Sequence, residues 1–231
     1  MSKIIIHGGF FSESSTNIET KIAKQQALLR IVKDSYAYLQ NHSALETVVF
    51  AVSQLEDDEL FNAGIGSQIQ SDGKIRMSAS LMDGESQKMS GVINIEEVKN
   101  PIQVAQVLMH VDDRILGGSG ATNFARKHGF EPFSTEIPQR RAEYEAKLAS
   151  LGTGTVGCVA LDKNGKIAVA TSTGGKGFEI PGRISDSATV AGNYANEFCG
   201  VSLTGVGEDI VSNATAAKIV TRVTDGFSIE K

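Results

Sequence analysis

The chain has 231 residues, enough to bury a substantial core as one domain, and its hydrophobic share of 41% is ordinary for a globule. A net charge of −5, no tryptophan and few other aromatics remove the electrostatic and stacking case for nucleic acid or an anionic membrane. The apolar run in MSKIIIHGG is too short for a signal peptide and no stretch nears the ~20 residues of a membrane span. Two cysteines, Cys158 and Cys199, give neither a disulfide framework nor zinc spacing, so a cytoplasmic protein with two buried free thiols is expected.

Residues 3–7 predict a short buried strand closed by Gly8-Gly9, with His7 structural because no acid or metal spacing accompanies it. An amphipathic helix follows, with Ile18, Ile22, Leu29, Val32, Tyr36 and Leu39 on its packing face and Asn17 as cap. Residues 46–52 predict a strand, and the loop LEDDELFNAGIG comes next. Its acids Glu56, Asp57, Asp58 and Glu59 lack the alternate-residue ligand pattern of a hard-cation loop, so a solvated turn is expected there. Asn62-Ala-Gly by itself marks only a turn. Strands are expected over 76–82 and 91–95, with Asp83-Gly84 as turn residues, and Asn100-Pro101 opens a helix with Val104, Ala105 and Leu108 inward. Residues 115–120 and ATNFARKHG predict strand, glycine turn, helix. The glycines suit an anion, but the dinucleotide pattern is incomplete and no acid follows at the usual distance. From 133 to 150 the composition turns charged without a broad apolar face, which fits a mobile linker with helical tendency or a solvated surface helix.

TVGCVALDKNGKIAVATSTGG, residues 155–175, reads as two strands joined by Asn164-Gly165, the strongest short hairpin signal. Thr155 opens the first strand directly after Gly154, with Gly152 two residues further back, and a Thr-Ser-Thr-Gly-Gly run closes the second. One reading is a strand-start threonine. The other is chemical: a cut between Gly154 and Thr155 gives Thr155 a free α-amine that titrates at about 7.7–8.0 and takes its own hydroxyl's proton. Further on, Arg183 and Asp186 form either a surface ion pair or a grip on an amino acid, the carboxylate in the guanidinium fork and the ammonium on the carboxylate. Residues 199–203 predict a strand, 204–207 a turn, and Glu208 begins a helix to about 223 with Ile210, Ala214, Ala217 and Val220 inward.

IIIHGG, LFNAGIGSQIQSDGKIRMSASLMDG, KNPIQVAQVLM, GGSGATNFARKHGFE, the 155–175 hairpin, PGRISDS and SLTGVGE, in that order, resemble blocks of the plant-type asparaginase and isoaspartyl peptidase family of N-terminal-nucleophile hydrolases. The resemblance runs from about residue 4 to about residue 221. It implies an α/β (α+β) fold, a four-layer αββα sandwich, in a single domain over 1–231. Within it an α-part, 1–154, ends in a mobile linker over 133–154 and is cut from a β-part, 155–231. It implies release of L-aspartate from β-aspartyl dipeptides, from asparagine, or from both. Thr155 would be the nucleophile, Thr173 would orient its hydroxyl, and Asn62, Thr204 and Gly205 would bind the oxyanion. Arg183 and Asp186 would hold the substrate, with main-chain contacts at Gly205 and Gly207. The resemblance implies no cofactor for catalysis, a structural sodium ion wrapped by the loop of Leu55, Glu56 and Phe61 largely through backbone carbonyls, and a homodimer of αβ units acting on small molecules.

Three departures stand against the family pattern. Phe10 follows His-Gly-Gly, the segment after Ser187 is one residue short and lacks a common proline, and the β-part stops at Lys231 where relatives continue with further strands. A C-terminally truncated sandwich with an unpaired sheet edge is therefore expected. The alternatives are a glycosylasparaginase-like hydrolase and a binder of aspartyl compounds that never matures.

Overall fold

A computed structural model of the chain describes residues 1–9, 18–146 and 154–228; Phe10, the expected cap Asn17, Gly152 and the end of the expected linker lie outside these. Six strands form one mixed sheet in the order β1 (Lys3–His7), β5 (Thr155–Leu161), β6 (Ile167–Thr173), β2 (Met77–Asp83), β3 (Lys88–Ile95) and β4 (Ile115–Gly117). Neighbours are antiparallel except β3 and β4. The expected hairpin forms β5 and β6, and Gly165 takes φ +79° in its turn, a conformation glycine adopts without steric cost.

Side chains alternate across the hairpin. Val156, Cys158, Ala160, Ala168 and Ala170 enter the main core beneath α2 (Ala44–Glu56), itself covered by α1 (Ile18–Leu39). α3 (Pro101–Leu108) and α4 (Gly118–Lys127) continue that helical layer over β2 and β3. Each fully buried Leu, Ile or Val there contributes about 1.5–3 kcal/mol. On the opposite face Val159 and Val169 join Met82 and Ala195 in a smaller cluster. That face is covered by a two-stranded sheet, β7 (Asn193–Ala195) and β8 (Gly200–Ser202), on which α7 (Thr215–Thr224) packs. No described helix is long and apolar enough to cross a membrane.

Several expectations are corrected. Residues 46–52 belong to helix α2, not a strand: Ser43 accepts from the Glu46 N–H while Glu46 accepts from the Ser43 N–H, a reciprocal cap that starts the helix. Because α2 is wedged between α1 and the sheet, Thr47, Val48, Val49, Ala51 and Val52 are all buried, and the stripe that betrays a surface helix is missing. On α1 the inner face is Ala27, Ile31, Ser35 and the expected Leu39, while Ile18 is 73% exposed and Ile22, Leu29 and Tyr36 also face outward. β1 is an edge strand with Ile5 68% exposed, not a buried one. β4 ends at Gly117 and α4 begins at Gly118, so no glycine turn separates them. The helix after Val206 is two helices, α6 (Gly207–Ser212) and α7, broken where Ala214 takes φ +46°; Ala214 is exposed and Ala216 and Val220 face inward. Cys199 is half-buried. The charged stretch carries helix α5 (Pro138–Glu145), held to the body by Arg140 Nε donating to Gly66 O at 2.9 Å and by Tyr144 stacked on Phe178.

Candidate active site

Thr155 is the first residue of β5 and Thr173 the last of β6, and the ladder pairs them directly. Their side chains share the face turned to the small sheet, where Thr155 Oγ1 donates to Thr173 Oγ1 at 3.2 Å. Ser187 Oγ lies 3.5 Å from Thr155 Oγ1 on the other side, in the 3-10 turn Asp186–Ala188, which is tied to β2 by Ser80 Oγ donating to Ser187 O at 2.6 Å. Sequence reasoning assigned no role to Ser187; its neighbour Asp186 was the available signal.

Gly154 arrives at Thr155 with its carbonyl gripped. Asn62 Nδ2 donates to Gly154 O at 2.8 Å and to Gly175 O at 2.6 Å, while Thr173 Oγ1 donates to Gly154 O at 3.3 Å. Asn62 Oδ1 accepts from the Gln68 N–H at 3.0 Å, which fixes the amide so that its NH₂ faces Gly154. Gly9, at φ +114°, packs against the same peptide: a Cβ there would come 2.8 Å from Gly154 Cα and 3.2 Å from Thr155 N. Any side chain at position 9 would both strain its own backbone and push on the Gly154–Thr155 bond.

The pair of threonines opens on a cavity of about 160 Å³ that Gly175, Arg183, Asp186, Gly205 and Gly207 also line. Gly207 is buried between the two charges: a Cβ there would sit 2.9 Å from Asp186 Oδ1 and 3.0 Å from Arg183 Nη2. Arg183 Nε is taken by Glu208 Oε1 at 2.8 Å, and the guanidinium holds the Glu208 carboxyl down to about 2. Glu208 thus orients Arg183 and leaves Nη2 toward the cavity, a contribution not foreseen from the sequence. Burial pushes the Asp186 carboxyl up to about 6 against the pull of Arg183, and Asp186 Oδ2 has no hydrogen-bond partner. A buried carboxylate in that condition favours an incoming cation. The structure therefore brings together Thr155, Thr173, Asn62, Arg183, Asp186, Gly205 and Gly207; Thr204, half-buried and one residue before Gly205, is not among the lining residues.

The acidic loop differs from a solvated turn at its first member. Glu56 is 0% exposed; its Oε1 accepts from Ser172 Oγ at 2.6 Å and the Ile102 N–H at 3.1 Å, and burial pushes its carboxyl up to about 8. The Leu55 side chain is in the core and the Glu56 carbonyl accepts from Ile65 N–H at 2.7 Å. The carbonyls of Glu59 and Phe61 come within 2.7 and 2.9 Å of the point a Gly66 Cβ would occupy, a cradle of hard oxygens kept open by glycine. Among the described residues no group of three His, Cys, Asp or Glu side chains could hold a metal.

Comparisons with known proteins identify the family. A family described as asparaginase matches residues 1–150 and 134–231. An isoaspartyl peptidase/L-asparaginase of Synechocystis sp. is 48% identical over 98% of this chain and 74% of its own length. A protein of the same name from Nostoc sp. is 45% identical over 99% and 78%, and an isoaspartyl peptidase of Escherichia coli 36% identical over 94% and 75%. With the family matched along its whole length and relatives this similar, the chain belongs to the asparaginase family.

Proposed function

We propose that the chain is a self-cleaving threonine amidohydrolase that releases L-aspartate from β-aspartyl dipeptides, asparagine or both. The observation that carries the reading is the placement of Thr155 Oγ1 beside Thr173, behind a Gly154 carbonyl held by Asn62 and Thr173, at the mouth of a cavity ending in Arg183 and Asp186. The names of the similar bacterial proteins favour this substrate class.

In the first stage the Thr155 hydroxyl adds to the Gly154 carbonyl carbon. Negative charge gathers on Gly154 O, where two donors already point; one such donor is worth about 3–4 kcal/mol of barrier. The C–N bond breaks, the Thr155 nitrogen takes the hydroxyl's proton, and an ester joins Gly154 to Thr155 Oγ1. Water then hydrolyses the ester, leaving a Gly154 carboxylate and a Thr155 with a free α-amine. In the second stage that amine takes the proton from Thr155 Oγ1 as the oxygen attacks the side-chain carbonyl of the aspartyl substrate. Arg183 receives the α-carboxylate and Asp186 the α-ammonium. Asn62, with Thr204 and the Gly205 N–H, receives the oxyanion. Ammonia or an amino acid leaves with the returned proton, and water frees aspartate from the acyl-enzyme.

The same reading assigns the complete fold as a four-layer αββα sandwich, supported by the sequence of helices, large sheet, small sheet and α7 across the molecule. It assigns a structural sodium ion to the loop of Leu55, Glu56 and Phe61, with the role of fixing the loop that carries Asn62. Two αβ units would pair. Denaturing electrophoresis with intact-mass measurement tests the reading: fragments corresponding to 1–154 and 155–231 are expected, and hydrolysis by an unbroken chain would overturn it.

A further inference from the structure

Gly157 lies two residues after Thr155 on the same face of β5, and it is a glycine for a reason. A Cβ there would fall inside contact distance of both Ser202 Oγ and His7 Nε2. The space is filled instead by a chain of polar groups, buried at Thr171 and Asn193 and half-buried at His7 and Ser202. His7 Nε2 and Ser202 Oγ are 2.9 Å apart, Ser202 Oγ and Thr171 Oγ1 are 2.7 Å apart, and Thr171 Oγ1 donates to Asn193 Oδ1 at 2.9 Å. The spacing along the chain is the same on every strand that meets there. His7 stands two residues before Gly9, Thr171 two before Thr173, and Ser202 two before Thr204. None of the three lines the substrate cavity.

We propose that Ser202, with His7 and Thr171, forms a positioning cluster for the nucleophile. Its shared hydroxyl pins β1, β6 and β8 around the gap at Gly157, so that Gly9, Thr173 and the Thr204–Gly205 turn meet at Thr155. The inference rests on the function proposed above. The main-chain ladder aligns β1 and β6 on β5 but not β8, which among the described residues is laddered only to β7. Side chains must tie the small sheet to the large one. Each hydroxyl has one proton to give, so removing one member leaves its neighbour without that partner between packed strands. Burial pulls the His7 imidazole down to about 4, with the Thr155 main chain acting the other way, so the ring is neutral at pH 7; Nε2 meets Ser202 Oγ, while Nδ1 has no hydrogen-bond partner among the described residues.

The test compares Thr171→Val and Thr171→Ser, with wild type and Thr155→Ala alongside. Valine keeps the shape and loses the hydroxyl; serine keeps the hydroxyl and loses a methyl. The cluster predicts that Thr171→Val slows both Gly154–Thr155 cleavage and kcat on a β-aspartyl dipeptide on the order of 10- to 100-fold with little change in KM, while Thr171→Ser recovers most of the loss. A packing role predicts the opposite order, and that order, or a Thr171→Val protein at the wild-type rate, overturns the proposal. Ser202→Ala is the second variant, its kcat expressed per folded molecule from circular-dichroism melting; the same fall is expected, and an unchanged kcat counts against the cluster. Hydrolysis by Thr155→Ala, or none by wild type, would bring down the proposed function and this inference with it. A full-rate Thr171→Val beside an inert Thr155→Ala would bring down the inference alone.

Discussion

The two faces of the β5–β6 hairpin use the same backbone for opposite ends. Toward α2, Val156, Cys158 and Ala160 are buried in apolar surroundings; toward the small sheet, their neighbours Thr155, Gly157, Thr171 and Thr173 are hydroxyls and a gap. Cysteine is intrinsically the better nucleophile, yet burial pushes the Cys158 thiol far above its usual range, so it stays protonated and inert. Thr155, three residues earlier and on the other face, sits among hydrogen-bond donors beside an open cavity. Alternation along a strand thus separates what holds the hairpin in place from what the hairpin does.

Three substitutions probe that division. The largest effect is expected on the site face: Asn62→Ala removes a donor aimed at Gly154 O and slows cleavage about 100- to 1,000-fold, followed as fragment appearance over time. The next is on the helix face. Leu81→Ala, fully buried on β2, costs about 2–5 kcal/mol in denaturant unfolding, yet each molecule still folded hydrolyses at the wild-type rate. A rate lost in proportion to neither would break the separation of faces. The smallest concerns Asp186. Its folded pKa lies above its unfolded value, so the carboxyl favours folding at acid pH, and that contribution is lost as pH rises through about 6. Asp186→Asn therefore raises stability at pH 7 by on the order of 2 kcal/mol, read as Tm against pH, while it abolishes the grip on the substrate ammonium. In the unaltered protein KM rises about tenfold for each pH unit below about 6 as Asp186 takes up its proton.

What the sequence revealed follows from where the information sits. The hairpin was legible because Asn164-Gly165 and the flanking alternation are local signals. The family blocks named the residues that the fold brings to one cavity, Thr155, Thr173, Arg183, Asp186, Gly205 and Gly207, with Asn62 behind them. The helix α2 is hard to read from sequence because burial on most sides erases its periodicity, leaving the Ser43 and Glu46 capping spacing as its local mark. On α1 small or polar Ala27 and Ser35 share the buried face with Ile31 and Leu39, while large apolar Ile18, Ile22 and Leu29 face outward, so hydrophobicity alone points to the wrong stripe. The contacts of Gly9, Ser187, Ser202 and Glu208 join segments far apart in the chain, which no local pattern encodes.

The central claim is that the Thr155 hydroxyl becomes a catalyst only when Thr155 stands at a chain start. The direct measurement is N-terminal sequencing of the purified protein and of Thr155→Ala, paired with aspartate release from a β-aspartyl dipeptide. The account predicts a second N-terminus reading Thr-Val-Gly-Cys in the active protein, and one unbroken, inactive chain for Thr155→Ala. Full aspartate release by material showing only the Met1 end would contradict it.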